Sequence, residues 1–538
     1  MEKTVLFAGK AGQGVDRTAV LLSKILFLSG YQCFVYRDYS SLIRGGHNFS
    51  IVTFSKKKVR SHKNIADILV ALDKGSYDMH RKKLKEGGRV FSFEKTGRDS
   101  VLIERPEMEN ISNNALLGAL VAYLDVPFSA GIQIIKKEFP RSNKAVIDIF
   151  RKGYELLGKP IDADLKNKLF TEGFILDGSE AVAKGAIDAG VQDVFYYPMT
   201  PATGAFSKLE EIASPGVNVF QMEDEIAAAN AALGASYAGK TAFTGSSGGG
   251  MALMGEVASF AGMAELPIVF YAAQRMGPST GVPTYTSQGD IKAIINLGPG
   301  EFPKMVLVPG DIEEAYKVTG QAFYFARKYR MPVFILSDKH IAESYANVGN
   351  FSPEFSKSNF IKNNPGKSYK SYKITESGVS PAVRPGGPAV FRATSYEHDE
   401  EGYTTEDSEQ VKTMNDKRLR KMDSVKKELS NEHSGISVYG RGKKVIIFSG
   451  SPKGAVLDAL PLLRDWGAIQ INRLYPFPTD ELKKKIKNKI FITVENNATS
   501  LLADLIKESC GTDIKGSILK YNGRPFTAEE ILEEVLKF

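Results

Sequence analysis

The chain has 538 residues, 43% of them hydrophobic and 25% charged, with a formal net charge of +8; this composition provides for several folded domains and excludes a low-complexity or disordered chain. Its 2 cysteines, Cys33 and Cys510, and 6 scattered histidines cannot assemble an iron–sulfur cluster or a structural zinc site, so any redox metal is expected on another chain. The basic surplus favours an acidic protein or an anionic cofactor as partner over nucleic acid, because the lysine runs at 56–58 and 483–489 carry no interleaved aromatic residues.

Residues 1–172 read as an α/β unit: a strand at 4–8, the turn Gly9-Lys10-Ala11-Gly12-Gln13-Gly14, an amphipathic helix at 15–29, and strands at 32–36, 48–54 and 68–71. The turn departs from the dinucleotide fingerprint; it suits backbone cradling of a phosphate-bearing group or, alternatively, tight packing alone. The first residues enter a strand without a basic leader, and the most apolar stretch, 251–273, is broken by Glu256, Glu265 and Pro267. Neither a secretory signal nor a membrane span is therefore expected, and the expected compartment is the cytoplasm.

Residues 173–350 alternate strands (194–197, 217–221, 241–244, 268–272, 305–308, 332–336) with helices (225–238, 249–264, 312–328), the rhythm of a doubly wound domain. Residues 351–440 lose that rhythm and read as an extended connector with a basic helical stretch at 416–427; internal disorder is the alternative. Residues 441–538 resume the α/β pattern with strands at 444–448, 468–474 and 490–495, a helix running to Trp466 and a closing helix at 528–536. The predicted class is α/β, with three doubly wound, Rossmann-like domains.

Four turns where strand passes to helix mark the ligand-binding edge of the middle domain. Thr200 lies between Pro198 and Pro201, which fix the backbone and hold hydroxyl and amides ready for an oxyanion or carboxylate. The alternative is a rigid turn capped by Thr203. Among Glu223, Asp224 and Glu225, one is a candidate for chemistry in the cleft, while any of them also suits a helix N-terminus. Arg275 follows the strand at 268–273 and suits bidentate capture of a carboxylate; an ion pair with Glu256 or Asp290 is the alternative. The run Gly245-Ser246-Ser247-Gly248-Gly249-Gly250 lacks the Lys-Ser/Thr of a P-loop and allows close backbone approach.

Several of these motifs together resemble one family. Tyr197-Pro198-Met199-Thr200-Pro201-Ala202-Thr203, Gln221-Met222-Glu223-Asp224-Glu225, the run from Gln274 to Gly281, Glu397-His398-Asp399-Glu400-Glu401-Gly402, and Val494-Glu495-Asn496-Asn497 with Tyr521-Asn522-Gly523-Arg524-Pro525-Phe526 are similar to the α subunit of 2-oxoacid:ferredoxin oxidoreductases. Gly9 to Val15 and Arg44-Gly45-Gly46 resemble the γ domain of the same enzymes, fused ahead of α. The resemblance implies a γ-type domain over 1–172, a thiamine diphosphate pyrimidine-binding domain over 173–350, a connector over 351–440 and a transketolase C-terminal-like domain over 441–538.

It also implies coenzyme A-dependent oxidative decarboxylation of a 2-oxoacid, 2-oxoglutarate or pyruvate-like, to acyl-CoA and CO2 with reduction of ferredoxin. Glu225 is then expected to pair with the aminopyrimidine N1′ of thiamine diphosphate and promote the imino tautomer that deprotonates thiazolium C2. Thr200 and Arg275, flanked by Pro201 and Thr203, are expected to hold the 2-oxoacid; Gly12, Gly14 and Arg44 become candidates for coenzyme A.

Two departures bear on fit. Met199-Thr200-Pro201-Ala202 replaces the usual Ile-Thr-Pro-Ser, and Ala11 replaces a glycine of the γ motif. No Gly-Asp-Gly followed by Asn-Asn is present to hold Mg²⁺ and the diphosphate, so a β subunit is expected to supply these and the iron–sulfur cluster, in a hetero-oligomer. A non-catalytic acyl-CoA- or nucleotide-binding assembly subunit is the competing reading, and a self-sufficient transketolase-like enzyme is disfavoured by the missing diphosphate site.

Overall fold

The computed structural model describes residues 2–40, 46–96, 100–108, 111–159, 172–355, 360–362, 368–385 and 389–538. Its helices pack on sheets of 8, 7 and 5 strands, with a further 2-stranded ribbon in the connector.

The middle sheet positions the candidate site. Strand Ile268–Gln274 lies between Ala242–Ser246 and Pro332–Asp338, and all three run parallel. Ala242–Ser246 pairs in turn with Asp193–Tyr196, which pairs with the edge strand Asn218–Gln221. On the other side Met305–Leu307 follows Pro332–Asp338. The two central strands are buried along their whole length because helices cover both faces. Alternate residues serve different cores: Val269, Tyr271 and Ala273 pack with Phe206 and Phe323, whereas Ile268, Phe270 and Ala272 pack with Ala228 and Met254. That period of two explains why the strand reads in sequence as an unbroken apolar run.

The outer sheets are less self-contained than their sequences suggest. In the N-terminal sheet Lys3–Lys10 pairs parallel with Ala66–Ala71 but antiparallel with His47–Ser55, so this sheet is mixed. Tyr345–Val348 and Phe174–Asp177, from the two ends of the middle segment, extend it beyond Gln32–Asp38. The apolar run at 468–474 divides at Asn472. Trp466–Ile471 stays in the C-terminal sheet between Ile436–Tyr439 and Lys444–Phe448, and Arg473–Tyr475 crosses to the edge of the middle sheet beside Met305–Leu307. Trp466 therefore begins a strand and does not end a helix; the preceding α-helix is Lys453–Ala459, followed by the 3-10 turn Leu460–Leu462.

The connector departs furthest from expectation. After residue 407 it forms a helix, Ser408–Glu432, capped by Asp407 through Gln410 N and about twice the length of the expected stretch, and then the strand Ile436–Tyr439. Met414, Met422, Val425 and Leu429 are buried, and so are Lys417 and Lys421. Both lysines bond the Glu265 carboxylate, Lys421 at 2.8 Å. Burial by itself would raise the Glu265 carboxyl, but Lys421, Lys417 and Arg330 overcome it and hold the group ionised.

Candidate functional site

The order of the middle sheet reverses between Asp193–Tyr196 and Ala242–Ser246: the chain steps outward from the first to Asn218–Gln221 and returns to the second, then proceeds the other way. Loops at the carboxyl ends of strands beside such a reversal frame a crevice. Thr200 follows Asp193–Tyr196, Glu225 follows Asn218–Gln221, Ser246 ends its own strand and Arg275 follows Ile268–Gln274.

The three acids at 223–225 are separated by their surroundings. Glu223 and Asp224 are exposed, and Asp224 caps the helix Glu225–Tyr237 by accepting from Ala227 N at 2.7 Å. Glu225 is only 4% exposed. The hydroxyl of Ser246 stands 3.5 Å from Glu225 Oε1 and 3.6 Å from Met199 Sδ, linking the acid to the Thr200 turn. A methyl group on Gly250 would lie 2.5 Å from Glu225 Oε1 and 2.1 Å from Ser246 Oγ. The glycine run thus admits side chains of the site itself.

Arg275 is buried and donates from Nη1 to the carbonyl of Thr200 at 2.8 Å. Its Nε is buried without a partner. Burial pulls the guanidinium down and nearby Asp290 opposes this; Asp290 is itself pushed up by burial against the pull of Arg275. Glu256 makes no ion pair with Arg275. Pro201 is buried and Thr203 half-buried. Thr203 is the first residue of the helix Thr203–Ile212, and the N-cap position falls to Ala202 without a side-chain bond, so the alternative of a turn capped by Thr203 is not formed.

The structure therefore brings Glu225, Ser246, Met199, Thr200 and Arg275 into one chain of contacts. Ser246 and Gly250 were not singled out individually by sequence reasoning, and Asp290 only as an alternative ion-pair partner of Arg275. Their signal lay in the glycine run and in the acid that follows the Arg275 loop.

That loop is pinned from elsewhere. Met276 N donates to Tyr285 O and Thr286 N to Gly523 O, and the Arg524 guanidinium covers the Tyr285 ring at 3.8 Å. Arg524 Nε also pairs with buried Asp38 at 2.9 Å, which accepts from Tyr36 OH at 2.9 Å. One carboxylate of the N-terminal domain thus joins the C-terminal domain to the loop after Arg275.

In the N-terminal domain, Gly12 and Gly14 are exposed in left-handed conformations, φ 89° and 77°, which side chains other than glycine adopt at a cost. Gly14 caps the helix Val15–Leu28, and Asn113 Nδ2 braces the turn through Gln13 O at 2.6 Å. Arg44 lies outside the described residues. The Gly12 turn follows Lys3–Lys10, an interior strand of the N-terminal sheet paired on both sides.

The family model described as "Pyruvate flavodoxin/ferredoxin oxidoreductase, thiamine diP-bdg" matches residues 184–417, and "Pyruvate ferredoxin/flavodoxin oxidoreductase" matches 4–156. The 2-oxoacid:ferredoxin oxidoreductase subunit alpha of a Sulfolobus species is 32% identical over 100% of this chain and 97% of its own length. The 2-oxoglutarate synthase subunit KorA of Methanocaldococcus jannaschii is 36% identical, covering 60% of this chain and 88% of its own. A solved 2-oxoglutarate:ferredoxin oxidoreductase from Magnetococcus marinus, with 2-oxoglutarate, coenzyme A and succinyl-CoA bound, superimposes with a TM-score of 0.89 at 26% identity, covering 100% of this chain and 99% of that one.

Proposed function

Because the chain belongs to the α-subunit family of the 2-oxoacid:ferredoxin oxidoreductases, we propose that it carries the acid–base and carboxylate-holding half of an active site completed by a β subunit. The observation that carries this reading is the contact chain from buried Glu225 through Ser246 and Met199 to the Thr200–Arg275 pair at the reversal of the sheet.

The residues fit one half of thiamine diphosphate. Glu225 is a buried carboxylate at a helix start, next to a glycine whose missing side chain leaves it room. Thr244 Oγ1 and Ser247 Oγ, on and after the same strand, are buried without partners. When bound, the cofactor supplies a nucleophilic carbon and an electron sink. Glu225 would hold a proton at its carboxylate toward the pyrimidine ring, and Ser246, 3.5 Å from Glu225 Oε1, would help orient it. Arg275, already fixed by the Thr200 carbonyl, offers its free Nε edge to the substrate carboxylate, where a planar fork binds best. Pro201 and Thr203 frame that pocket.

The proposed reaction joins a 2-oxoacid and coenzyme A to give acyl-CoA and CO2, with ferredoxin taking the electrons singly. 2-Oxoglutarate is the proposed substrate, because the names of the KorA relative and the solved neighbour both carry it. Mg²⁺, the diphosphate grip and the iron–sulfur cluster are assigned to the β subunit. The exposed apolar side chains of Tyr197, Phe220, Ile226 and Leu253 on the rim elements support coverage by such a partner. Coenzyme A is assigned to the Gly12–Gly14 turn with Arg44. No helix among the described residues is long and apolar enough to cross a membrane, and the proposed location is the cytoplasm. A non-catalytic assembly role leaves the contact chain around Glu225 unexplained.

Reconstitution with the β subunit, thiamine diphosphate, Mg²⁺, coenzyme A and a low-potential acceptor tests the proposal. 2-Oxoglutarate is expected to support reduction better than pyruvate. Glu225→Gln is expected to abolish most turnover with assembly intact; near wild-type turnover in that variant would remove its role.

A further inference from the structure

The C-terminal sheet has a strand reversal of its own. Its chain passes from Lys444–Phe448 to Trp466–Ile471 on one side and then to Ile490–Glu495 on the other. In open parallel sheets the crevice that receives a ligand lies at such a reversal, outside the carboxyl ends of the strands. Here it lies between the ends of Lys444–Phe448 and Ile490–Glu495, and a side chain of the middle domain enters it.

Gln288 is buried. Its Nε2 donates to the carbonyl of Ser449 at 2.7 Å, and its Oε1 accepts from Asn496 N at 3.0 Å; Ser449 and Asn496 are the residues directly after the two strands. The backbone extends the contact, Gln288 N donating to Asn496 O at 2.7 Å and Gln288 O accepting from Asn497 Nδ2 at 3.5 Å. Gly450 makes room for the amide, since a methyl group there would lie 2.6 Å from Gln288 Nε2. Both ends of the amide and both backbone groups of Gln288 are thus bound by the C-terminal domain.

Two residues on, the same segment reaches the candidate site. Asp290 N donates to Gln274 Oε1 at 3.0 Å, and Gln274 Nε2 donates to Ser337 O at 3.3 Å. These bonds close the base of the loop that begins at Arg275 and tie it to the strand Pro332–Asp338. The Asp290 carboxylate lies beside the glycine run, 3.9 Å from where a methyl group on Gly248 would stand, and it counters the effect of burial on Arg275. Where Gln288 is held therefore fixes where the loop returns beside Arg275.

We propose that Gln288 is a positioning residue: it occupies the ligand crevice of the C-terminal domain, and that domain thereby sets the loop that aims Arg275 at the substrate carboxylate. This rests on the reading of Arg275 as the carboxylate holder, so Arg275→Met is measured beside the Gln288 variant, each in the complex reconstituted with the β subunit. Gln288→Met leaves Ser449 O and Asn496 N without partners. It is expected to raise KM for the 2-oxoacid about tenfold, the scale of one lost buried hydrogen bond, with kcat within about threefold of wild type. Deuterium exchange at C2 of bound thiamine diphosphate, which draws on Glu225 and needs no 2-oxoacid, is expected to keep its wild-type rate. Gly450→Ala displaces the same amide and is expected to raise KM likewise. Gly511→Ala is its control: the backbone is left-handed at both, φ 70° and 62°, and a methyl group on Gly511 meets nothing within 4 Å, so KM should stay within about twofold. Unchanged KM in Gln288→Met while Arg275→Met raises it would overturn the proposal alone, as would equal KM in the two alanine variants or loss of C2 exchange in Gln288→Met. Unchanged KM in Arg275→Met would remove the reading of Arg275 and the proposal with it.

Discussion

Replacing Gly250 by alanine separates the chemistry of the site from its stability. The new methyl carbon would stand 2.5 Å from Glu225 Oε1 and 2.1 Å from Ser246 Oγ. Both atoms end short or flexible side chains, so the fold yields cheaply: the hydroxyl rotates and the carboxylate swings aside. Reaching an ordinary contact moves the carboxylate by about 1 Å, and displacements of that size at a reacting group cost roughly 10²-fold in rate. Overpacking adds about 1–3 kcal/mol of destabilisation at most. Gly249 provides the control, because a methyl group there meets nothing within 4 Å and replaces glycine in the helix Gly248–Leu253, a change worth about 0.5–1 kcal/mol in favour of alanine. In the reconstituted complex Gly250→Ala is expected to lower kcat by about 10²-fold with a folded circular-dichroism spectrum, and Gly249→Ala to leave kcat within twofold, about the scale of a neutral change. Equal activities for the two variants would refute the assignment of the glycine run to the acid.

The remaining predictions concern the supports of the site. Arg524→Gln removes the pair with Asp38 and the cover over Tyr285, so the loop after Arg275 is expected to loosen; steady-state kinetics should show a raised KM for the 2-oxoacid with a smaller change in kcat. Glu265→Gln leaves Lys417 and Lys421 buried without their carboxylate, a loss of about 3–5 kcal/mol that denaturant unfolding measures. His340 is buried against Tyr36, and burial, aided by Lys339 and Lys520, lowers it to about 3 from 6.5. The unfolded chain therefore binds the extra proton between those values, and the stability from keeping His340 neutral is complete above about pH 6.5 and lost as pH falls toward 3. Unfolding free energies from urea titrations between pH 7 and 5 should fall less steeply in His340→Asn, by up to about 1.4 kcal/mol per pH unit.

What the sequence made legible was local. Arg275 sits directly beyond a strand whose seven residues are all buried, and Glu225 starts the helix after the edge strand; offsets from a strand end suffice to place both on the rim. Choosing Glu225 among three acids needed more than the strand pattern, since Asp224 satisfies the capping rule and only burial marks its neighbour. Of the helix Ser408–Glu432 only 416–427 was legible, as a basic stretch; that Lys417 and Lys421 within it bury their heads on Glu265, far away in sequence, depends on the assembled domain. Arg473–Tyr475 looked like the tail of one strand because apolar content continues through Leu474; the change of sheet is decided by which edge lacks a partner, a property of the assembled domain.

The same limit governs the Asp38–Arg524 pair. Nothing near either residue announces the other, and Asp38 is buried in the folded chain. Their pairing acquires meaning only when three domains converge on Tyr285. The acid and the arginine of the rim are thus fixed by short segments, while the loop after Arg275 is fixed by contacts across domains. Substrate choice in relatives is accordingly expected to change through residues distant from Glu225 and Arg275, at the junction of Asp38, Tyr285 and Arg524, with the rim pair unchanged.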